Sequence, residues 1–203
     1  HSSSPNNPQR YAMEVVASDI ITLLQTIEIQ HSDLLGYSMG GRLALYLAIN
    51  KPDFFGSLIL ESASPGLDSQ ILRQNRINQD NLLADFIETE GIPAFITQWQ
   101  QLPLFESQQK LPRARQEEQR QQRLKNSPVG LANSLRGMGT GCQPSLWQQL
   151  ATLRLPTLLL SGALDPKYVA IGRRMAQIIT DSELKIMPNA GHNIHLETPD
   201  QFA

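Results

Sequence analysis

The clearest indication of the fold is the segment Gly36-Tyr37-Ser38-Met39-Gly40-Gly41-Arg42. A predicted strand ends within it, and a predicted helix begins within it. The apolar segment before it predicts a short buried strand over 32–37, and the Ala- and Leu-rich segment after it predicts a helix over 39–49. Such a sharp turn strains the backbone of its serine and leaves room only for small neighbours. Glycines at this spacing could instead form a plain turn that packs the helix against its strand. We favour a turn that presents the Ser38 hydroxyl for chemistry.

The segments on both sides of this turn alternate between helix and strand. Apolar residues at three-to-four spacing predict a helix over 13–27, and a short apolar run predicts a strand over 57–60. The same alternation returns late in the chain. It predicts a strand over 156–160, a helix over 169–179, a strand over 184–187 and a helix from 199 onward. This order is typical of an α/β protein with a mostly parallel sheet and flanking helices.

The middle of the chain, 67–138, contains no convincing strand. It is rich in glutamine and predicts helices over 69–90, 92–100 and 113–125. A disordered low-complexity linker is one interpretation. We favour a helical cap inserted between two strands, because apolar side chains give the segment a face to bury: Trp99, Leu102, Leu104, Phe105 and Leu111. The predicted organisation is core over 1–66, cap over 67–138 and core over 139–203.

A serine hydroxyl needs a histidine to accept its proton and a carboxylate to orient that histidine. Asp165 follows the predicted strand 156–160, and His192 follows the predicted strand 184–187. The order Ser, Asp, His, each after a strand, is that of the α/β-hydrolase fold. Asp165 could instead only cap the helix that follows it.

Two other residues compete for these roles. Glu61 is the main rival acid and His195 the rival base, whereas His31 precedes a strand and is expected at the surface. Near the serine, the N–H of Met39 is a candidate donor to a developing oxyanion, because it opens a helix.

Arg42 lies one helical turn after Ser38 and on the same face. A guanidinium beside a nucleophilic serine is unusual for neutral esters but suits a substrate carboxylate held through two hydrogen bonds. A surface arginine is the alternative. Arg76 and Arg123 in the cap would strengthen the carboxylate hypothesis if they point inward.

Composition argues against several classes of function. The 203 residues carry a formal net charge of −2, so no overall positive field recruits nucleic acid or an anionic membrane. No apolar run approaches the roughly 20 residues that span a bilayer.

The single cysteine, Cys142, fits a reducing, cytoplasmic setting and is expected to be a packed thiol. The histidines lack metal-ligand spacing, so we expect no metal or other cofactor; oligomeric state stays open.

Six segments of this sequence recur together in one family of enzymes. They are Gly36-Tyr37-Ser38-Met39-Gly40-Gly41-Arg42; Ser64-Pro65-Gly66-Leu67; Arg76 with Asp80; Trp99 with Leu102-Pro103-Leu104-Phe105; the stretch 137–147; and Gly191-His192-Asn193 with His195. From about residue 11 onward the chain therefore resembles the 2-succinyl-6-hydroxy-2,4-cyclohexadiene-1-carboxylate synthases of menaquinone and phylloquinone biosynthesis.

The resemblance implies a lyase that acts on a small substrate with several carboxylates. Members abstract a proton from 2-succinyl-5-enolpyruvyl-6-hydroxy-3-cyclohexene-1-carboxylate, and pyruvate leaves. Carried over to this sequence, Ser38 would be the base, made basic by His192, which Asp165 orients. The arginines Arg42, Arg76 and Arg123 would bind carboxylates, and Tyr37 and Trp99 would line the pocket.

One departure from the family pattern concerns the start of the chain. Members begin with further strands and a His-Gly loop that supplies a second oxyanion donor, and nothing in this sequence corresponds to them. We therefore expect the N-terminal strands to be missing. The triad alone is also consistent with an esterase or a carbon–carbon bond hydrolase, and the absent strands with an inactive scaffold.

Overall fold

Four parallel strands form one sheet in the order β1-β2-β3-β4 in the computed structural model, which describes residues 4–203. The strands are β1 (Ser32–Tyr37), β2 (Phe55–Glu61), β3 (Thr157–Gly162) and β4 (Ser182–Met187). Each neighbouring pair is parallel, so all four carboxyl ends lie at the same edge. In open α/β sheets that edge is where ligands bind. The predicted strands are confirmed, with ends that differ by a few residues.

The sheet belongs to a unit built from Ala17–Pro65 and Leu146–Ala203. Its helices are α2 (Met39–Asn50), α6 (Pro166–Ala176), α7 (Ile194–Glu197), α8 (Pro199–Phe202) and most of α1 (Met13–Thr26). The core is aliphatic, and Leu45, Leu58 and Leu150 have no exposed surface. At its margin, the Arg174 guanidinium lies 3.7 Å from the centre of the Trp147 ring.

Strand β1 differs from the prediction of a buried strand. Leu34 packs on the core, whereas Leu35 is 56% exposed. The reason is geometric, because β1 is at one edge of the described sheet and successive side chains point to opposite faces. Adjacent apolar residues such as Leu34 and Leu35 are therefore not sufficient evidence that both faces of a strand are covered.

The second unit is helical and takes in the residues up to Val16 together with Gly66–Ser145. It contains α3 (Gln70–Trp99), α4 (Arg113–Leu124) and α5 (Pro128–Met138). Gly91, at a φ of 80°, and Pro93 interrupt α3 where two separate helices were predicted. A buried cluster of Ile87, Ile92, Phe95 and Ile96 shows that the segment folds, so the linker interpretation is wrong. No helix in the described part of the chain is both long and apolar enough to cross a membrane.

The two compact units have boundaries that differ from the predicted division into 1–66, 67–138 and 139–203. The residues before Ala17 group with the helical segment, and so do residues 139–145. One cause is close packing of α5 on the early chain, since a Cβ on Gly137 would lie 2.7 Å from the backbone of Tyr11. Another is the close approach of Gly141 to α3, since a Cβ on Gly141 would lie 2.7 Å from the carbonyl oxygen of Arg73.

Candidate active site

Ser38 occupies a strained turn between β1 and α2. Its φ of 50° and ψ of −109° lie outside the regions that non-glycine residues normally adopt. The backbone N–H of Ser38 donates to the carbonyl oxygen of Glu61 at 2.8 Å, which ties the turn to β2. Met39 opens α2, so its N–H is among those that have no acceptor within the helix. These are the features of a nucleophile elbow.

Glycines around the turn allow this close approach of strand and helix. A Cβ on Gly36 would lie 2.6 Å from the Gly40 carbonyl oxygen, and one on Gly41 would lie 2.7 Å from the Gly36 carbonyl oxygen. Both distances are too short for real contacts. Gly40, by contrast, faces open space. The crowding predicted from the sequence is therefore present at Gly36 and Gly41, but not at the last glycine of the G-x-S-x-G pattern.

His192 lies within hydrogen-bonding distance of both predicted partners. Its Nε2 is 2.9 Å from the Ser38 hydroxyl oxygen, and its Nδ1 is 2.8 Å from Oδ2 of Asp165. His192 and Asp165 are buried. The structure thus brings together three side chains that lie up to 154 positions apart in sequence.

The loops after β3 and β4 are joined by backbone contacts that hold Asp165 and His192 close together. The Leu164 N–H donates to the Ala190 carbonyl oxygen at 2.9 Å, and the Ala163 N–H donates to that of Met187 at 2.9 Å. A Cβ on Gly162 would overlap the carbonyl oxygens of the loop before His192. The parallel sheet therefore places the loops that carry Asp165 and His192 side by side, packed against each other.

Asp165 both caps the following helix and orients His192, the two roles that the sequence presented as alternatives. Its Oδ1 accepts the Tyr168 N–H at 3.2 Å and caps α6, while Oδ2 meets the His192 ring. A carboxylate has two oxygens, so helix capping and orientation of the imidazole are compatible.

The two rivals, Glu61 and His195, pair with each other instead of joining Ser38. Oε2 of Glu61 lies 2.7 Å from Nδ1 of His195. The ring of Tyr37 contacts both histidines, with its centre 5.4 Å from that of His192 and 5.1 Å from that of His195. The site therefore contains a second carboxylate–histidine pair beside the first.

Two contributors were missed by the sequence analysis. Tyr168 places its ring 4.6 Å from the His192 ring, and Glu197 accepts hydrogen bonds from the backbone N–H groups of Gly191 and Asn193. Tyr168 follows Asp165 by three residues, and Glu197 follows Asn193 by four. Both spacings put the residues on one helical face, which is the signal that could have revealed them.

Arg42 is buried, with 8% of its surface exposed, so the alternative of a surface arginine is wrong. Its backbone N–H donates to the Ser38 carbonyl oxygen at 3.0 Å, one turn into α2. Arg42 therefore lies inside the protein, next to the serine turn.

Arg76, Trp99 and Arg123 lie in the helical unit. Arg76 donates to Asp80 at 2.8 Å, and Trp99 packs on Phe105 with ring centres 5.6 Å apart. Arg123 donates to the side-chain oxygens of Gln108 and Gln119. It also lines a groove of about 500 Å³ together with Arg113 and Arg120.

Cys142 also belongs to the helical unit and behaves as a packed thiol. Its sulfur contacts the Arg136 carbonyl oxygen at 3.0 Å, and burial raises the pKa of the thiol above its ordinary value. A raised pKa lowers the thiolate fraction at neutral pH, and the thiolate is the reactive form.

The parallel sheet, and the hydrogen bonds that run from the strained Ser38 to His192 and from His192 to Asp165, define the class of protein: an enzyme of the α/β-hydrolase fold with a Ser-His-Asp triad. A family model described as alpha/beta hydrolase fold matches residues 1–199.

Similarity to individual proteins identifies the family within this fold class. A Bacillus subtilis (strain 168) protein, provisionally named as a 2-succinyl-6-hydroxy-2,4-cyclohexadiene-1-carboxylate synthase, is 42% identical over 98% of this chain and 73% of its own length. The synthase of that name from Serratia proteamaculans (strain 568) is 32% identical over 93% of this chain and 71% of its own. A solved structure of MenH from S. aureus is 39% identical, with a TM-score of 0.94, over 100% of this chain and 75% of its own. The chain belongs to the 2-succinyl-6-hydroxy-2,4-cyclohexadiene-1-carboxylate synthase family.

Proposed function

We propose that this protein is a lyase of menaquinone or phylloquinone biosynthesis that removes a proton from 2-succinyl-5-enolpyruvyl-6-hydroxy-3-cyclohexene-1-carboxylate and releases pyruvate. The observation that carries the proposal is the hydrogen-bonded series from Ser38 through His192 to Asp165, in a chain of this family. Such a series makes an alcohol basic enough to take a proton.

The triad supplies the base. His192 accepts the Ser38 hydroxyl proton at Nε2, and Asp165 stabilises the resulting imidazolium through Nδ1. The Ser38 oxygen then takes a proton from a ring carbon of the substrate. The electron pair of that C–H bond shifts through the conjugated system, and the bond from the ring to the enolpyruvyl oxygen breaks. The pyruvate enolate that leaves is protonated at its methylene carbon to give pyruvate.

Negative charge grows on the substrate during proton removal and must be stabilised. General-base catalysis contributes about 10²–10⁴-fold, so electrostatic stabilisation must supply much of the remaining rate enhancement. The Met39 N–H at the start of α2 is a suitable donor, because the helix N-terminus carries partial positive charge.

Cationic side chains would recognise the carboxylates of the substrate. We assign this role to Arg42, Arg76 and Arg123, with Tyr37 and Trp99 contributing contact surface. Two features support an anionic ligand. Arg42 is buried, and the groove that contains Arg123 is also lined by Gln108 and Gln119, whose buried side-chain amide nitrogens have no hydrogen-bond acceptor among the described residues. Carboxylates are natural acceptors for both groups.

Pyruvate release from the enolpyruvyl substrate tests the proposal. We expect turnover by the protein and its loss in the Ser38→Ala variant, with the far-UV circular dichroism spectrum unchanged. Absence of pyruvate above the buffer rate would contradict the proposed reaction.

An esterase using the same triad is the competing function. It predicts turnover of p-nitrophenyl acetate through a covalent acyl-serine, with Arg42→Ala nearly harmless. The lyase predicts slow ester turnover and a strong requirement for Arg42. Comparing the two substrates on the same two variants separates the functions.

A further inference from the structure

The side chain of Glu61 is fully buried at the carboxyl end of β2, with 0% of its surface exposed. Its Oε1 accepts the backbone N–H groups of Ile194 at 2.6 Å and His195 at 3.1 Å. Its Oε2 meets the ring nitrogen Nδ1 of His195 at 2.7 Å. A buried carboxylate without such donors would be very costly, so these three contacts fix where residues 194–195 can lie.

The backbone of the same residue fixes the other half of the triad. The carbonyl oxygen of Glu61 accepts the Ser38 N–H at 2.8 Å, next to the register pair of Tyr37 and Glu61 in the parallel sheet. Glu61 therefore contacts the serine turn with its main chain and the segment just after His192 with its side chain.

Glu197 also binds the segment that carries His192. Its carboxylate accepts the Gly191 N–H at 2.6 Å and the Asn193 N–H at 3.2 Å. The N–H groups of residues 191, 193, 194 and 195, on both sides of His192 in the sequence, are thus all bound by two carboxylates. Loops are normally among the more mobile parts of a protein, and these bonds restrain this one.

We propose that Glu61 is a positioning residue that sets the distance between Ser38 and His192, with Glu197 as its support. Its carboxylate acts through the segment that carries His192, while its main chain holds the serine turn. Reacting groups that shift by about 1 Å can lose roughly 10²-fold in rate, so a residue that fixes both loops controls proton transfer. The inference rests on the proposed function only in its use of the triad.

The test measures modification of Ser38 by a fluorophosphonate, which needs no natural substrate. The Ser38 oxygen attacks phosphorus, fluoride leaves, and the serine proton passes to His192. We expect Glu61→Gln, which preserves side-chain shape, to lower the labelling rate constant about 10–100-fold by loosening the His192 segment. The matched control is Glu183→Gln in β4, an exposed glutamate that we expect to leave labelling unchanged.

A double-mutant cycle distinguishes positioning from general damage. If Glu61 acts through His192, Glu61→Gln changes labelling less than about twofold when His192 is already alanine, because coupled residues are non-additive. An equal loss in both backgrounds, or no loss in the parent background, would overturn the inference.

One further variant addresses the part played by the His195 ring, and a separate assay addresses the proposed reaction. His195→Ala retains both backbone bonds to Glu61 but removes the ring that meets Oε2 of the buried carboxylate, so we expect labelling to fall, though less than in Glu61→Gln. A 100-fold lower labelling rate constant in His195→Ala would instead show that the His195 ring, and not the Glu61 carboxylate, determines the reactivity of Ser38. Pyruvate release, assayed separately, fails in all variants if the proposed reaction is wrong, while the labelling cycle still reports on Glu61.

Discussion

Asp165 carries two separate tasks on its two carboxylate oxygens, and a substitution can separate them. An asparagine at this position would keep an oxygen for the Tyr168 N–H, because asparagine caps helices as well as aspartate does. It would not hold the His192 Nδ1–H with a negative charge. The two tasks are therefore expected to respond differently to substitution.

We expect Asp165→Asn to lower kcat for pyruvate release about 10⁴-fold, as in other triads, with little change in stability. Asp165→Ala should lose similar activity and about 1 kcal/mol more of the free energy of unfolding, because the cap is lost. Steady-state kinetics and urea unfolding measure the two effects. Equal stability of both variants would contradict the capping role.

Arg42 should act on binding of the anionic substrate. A charge-assisted hydrogen bond contributes about 1.5–3 kcal/mol, so Arg42→Ala should raise KM about 10–100-fold. Lysine retains the charge but not the two-pronged geometry, and Arg42→Lys should recover only part of the loss. Arg154→Ala, an exposed arginine that donates to its own loop, is the control. Unchanged KM in Arg42→Ala would refute the assignment.

At the scale of elements, the junction of β1 and α2 depends on two glycines and tolerates a change at a third. Gly41→Ala would force a Cβ against the Gly36 carbonyl oxygen, and such overpacking costs about 1–3 kcal/mol. Gly40→Ala meets open space in a helix and should stabilise by up to about 1 kcal/mol. Urea unfolding of the two variants tests this contrast, which would fail if both changes destabilised equally.

The contact between α3 and α5 should depend on pH. Arg136 of α5 pairs with Glu88 and Asp85 of α3, and its hydrogen bond lowers the pKa of Glu88 below the ordinary value of 4.5. A pKa that is lower in the folded state contributes stability above pH 4.5, and this contribution is lost as pH falls through the lowered pKa. Thermal unfolding between about pH 7 and pH 3 should show this loss in the parent and a shallower dependence in Arg136→Gln. Parallel curves would contradict the pairing.

Protection against hydrogen exchange should vary across the whole molecule with burial. Strands β2 and β3 lie at the centre of the described sheet, whereas α4 has no buried residue. Amides in poorly buried elements open locally with little free energy. Exchange followed by mass spectrometry should therefore show β2 and β3 as the slowest segments and α4 as one of the fastest. Slow exchange in α4 would require a partner surface on that helix.

Local patterns in the sequence were enough to predict the three triad residues and the four strands along the chain. The Ser38 turn has its own motif, and Asp165 and His192 each follow an apolar run, so adjacency to a strand located them. Glu61 also stands at the end of a strand, but its contacts depend on a segment 133 positions away that no local pattern specifies. Its role became visible only in three dimensions.

The elements that the sequence failed to predict have tertiary causes. Helix α5 contains two internal glycines, which lower its intrinsic propensity, yet those glycines permit close packing against the early chain. The exposed side of β1 depends on its place at an edge of the described sheet. Propensity and periodicity describe a segment alone, and both cases were decided by its neighbours.

The two tryptophans lie in different units, so the intrinsic tryptophan fluorescence can report on each unit separately. Trp99 belongs to the aromatic cluster of the helical unit, and Trp147 sits beneath the Arg174 guanidinium in the sheet unit. Replacing either one with phenylalanine leaves a single tryptophan that reports on one unit. Stopped-flow fluorescence of the two variants would then show whether both units unfold and refold at the same rate.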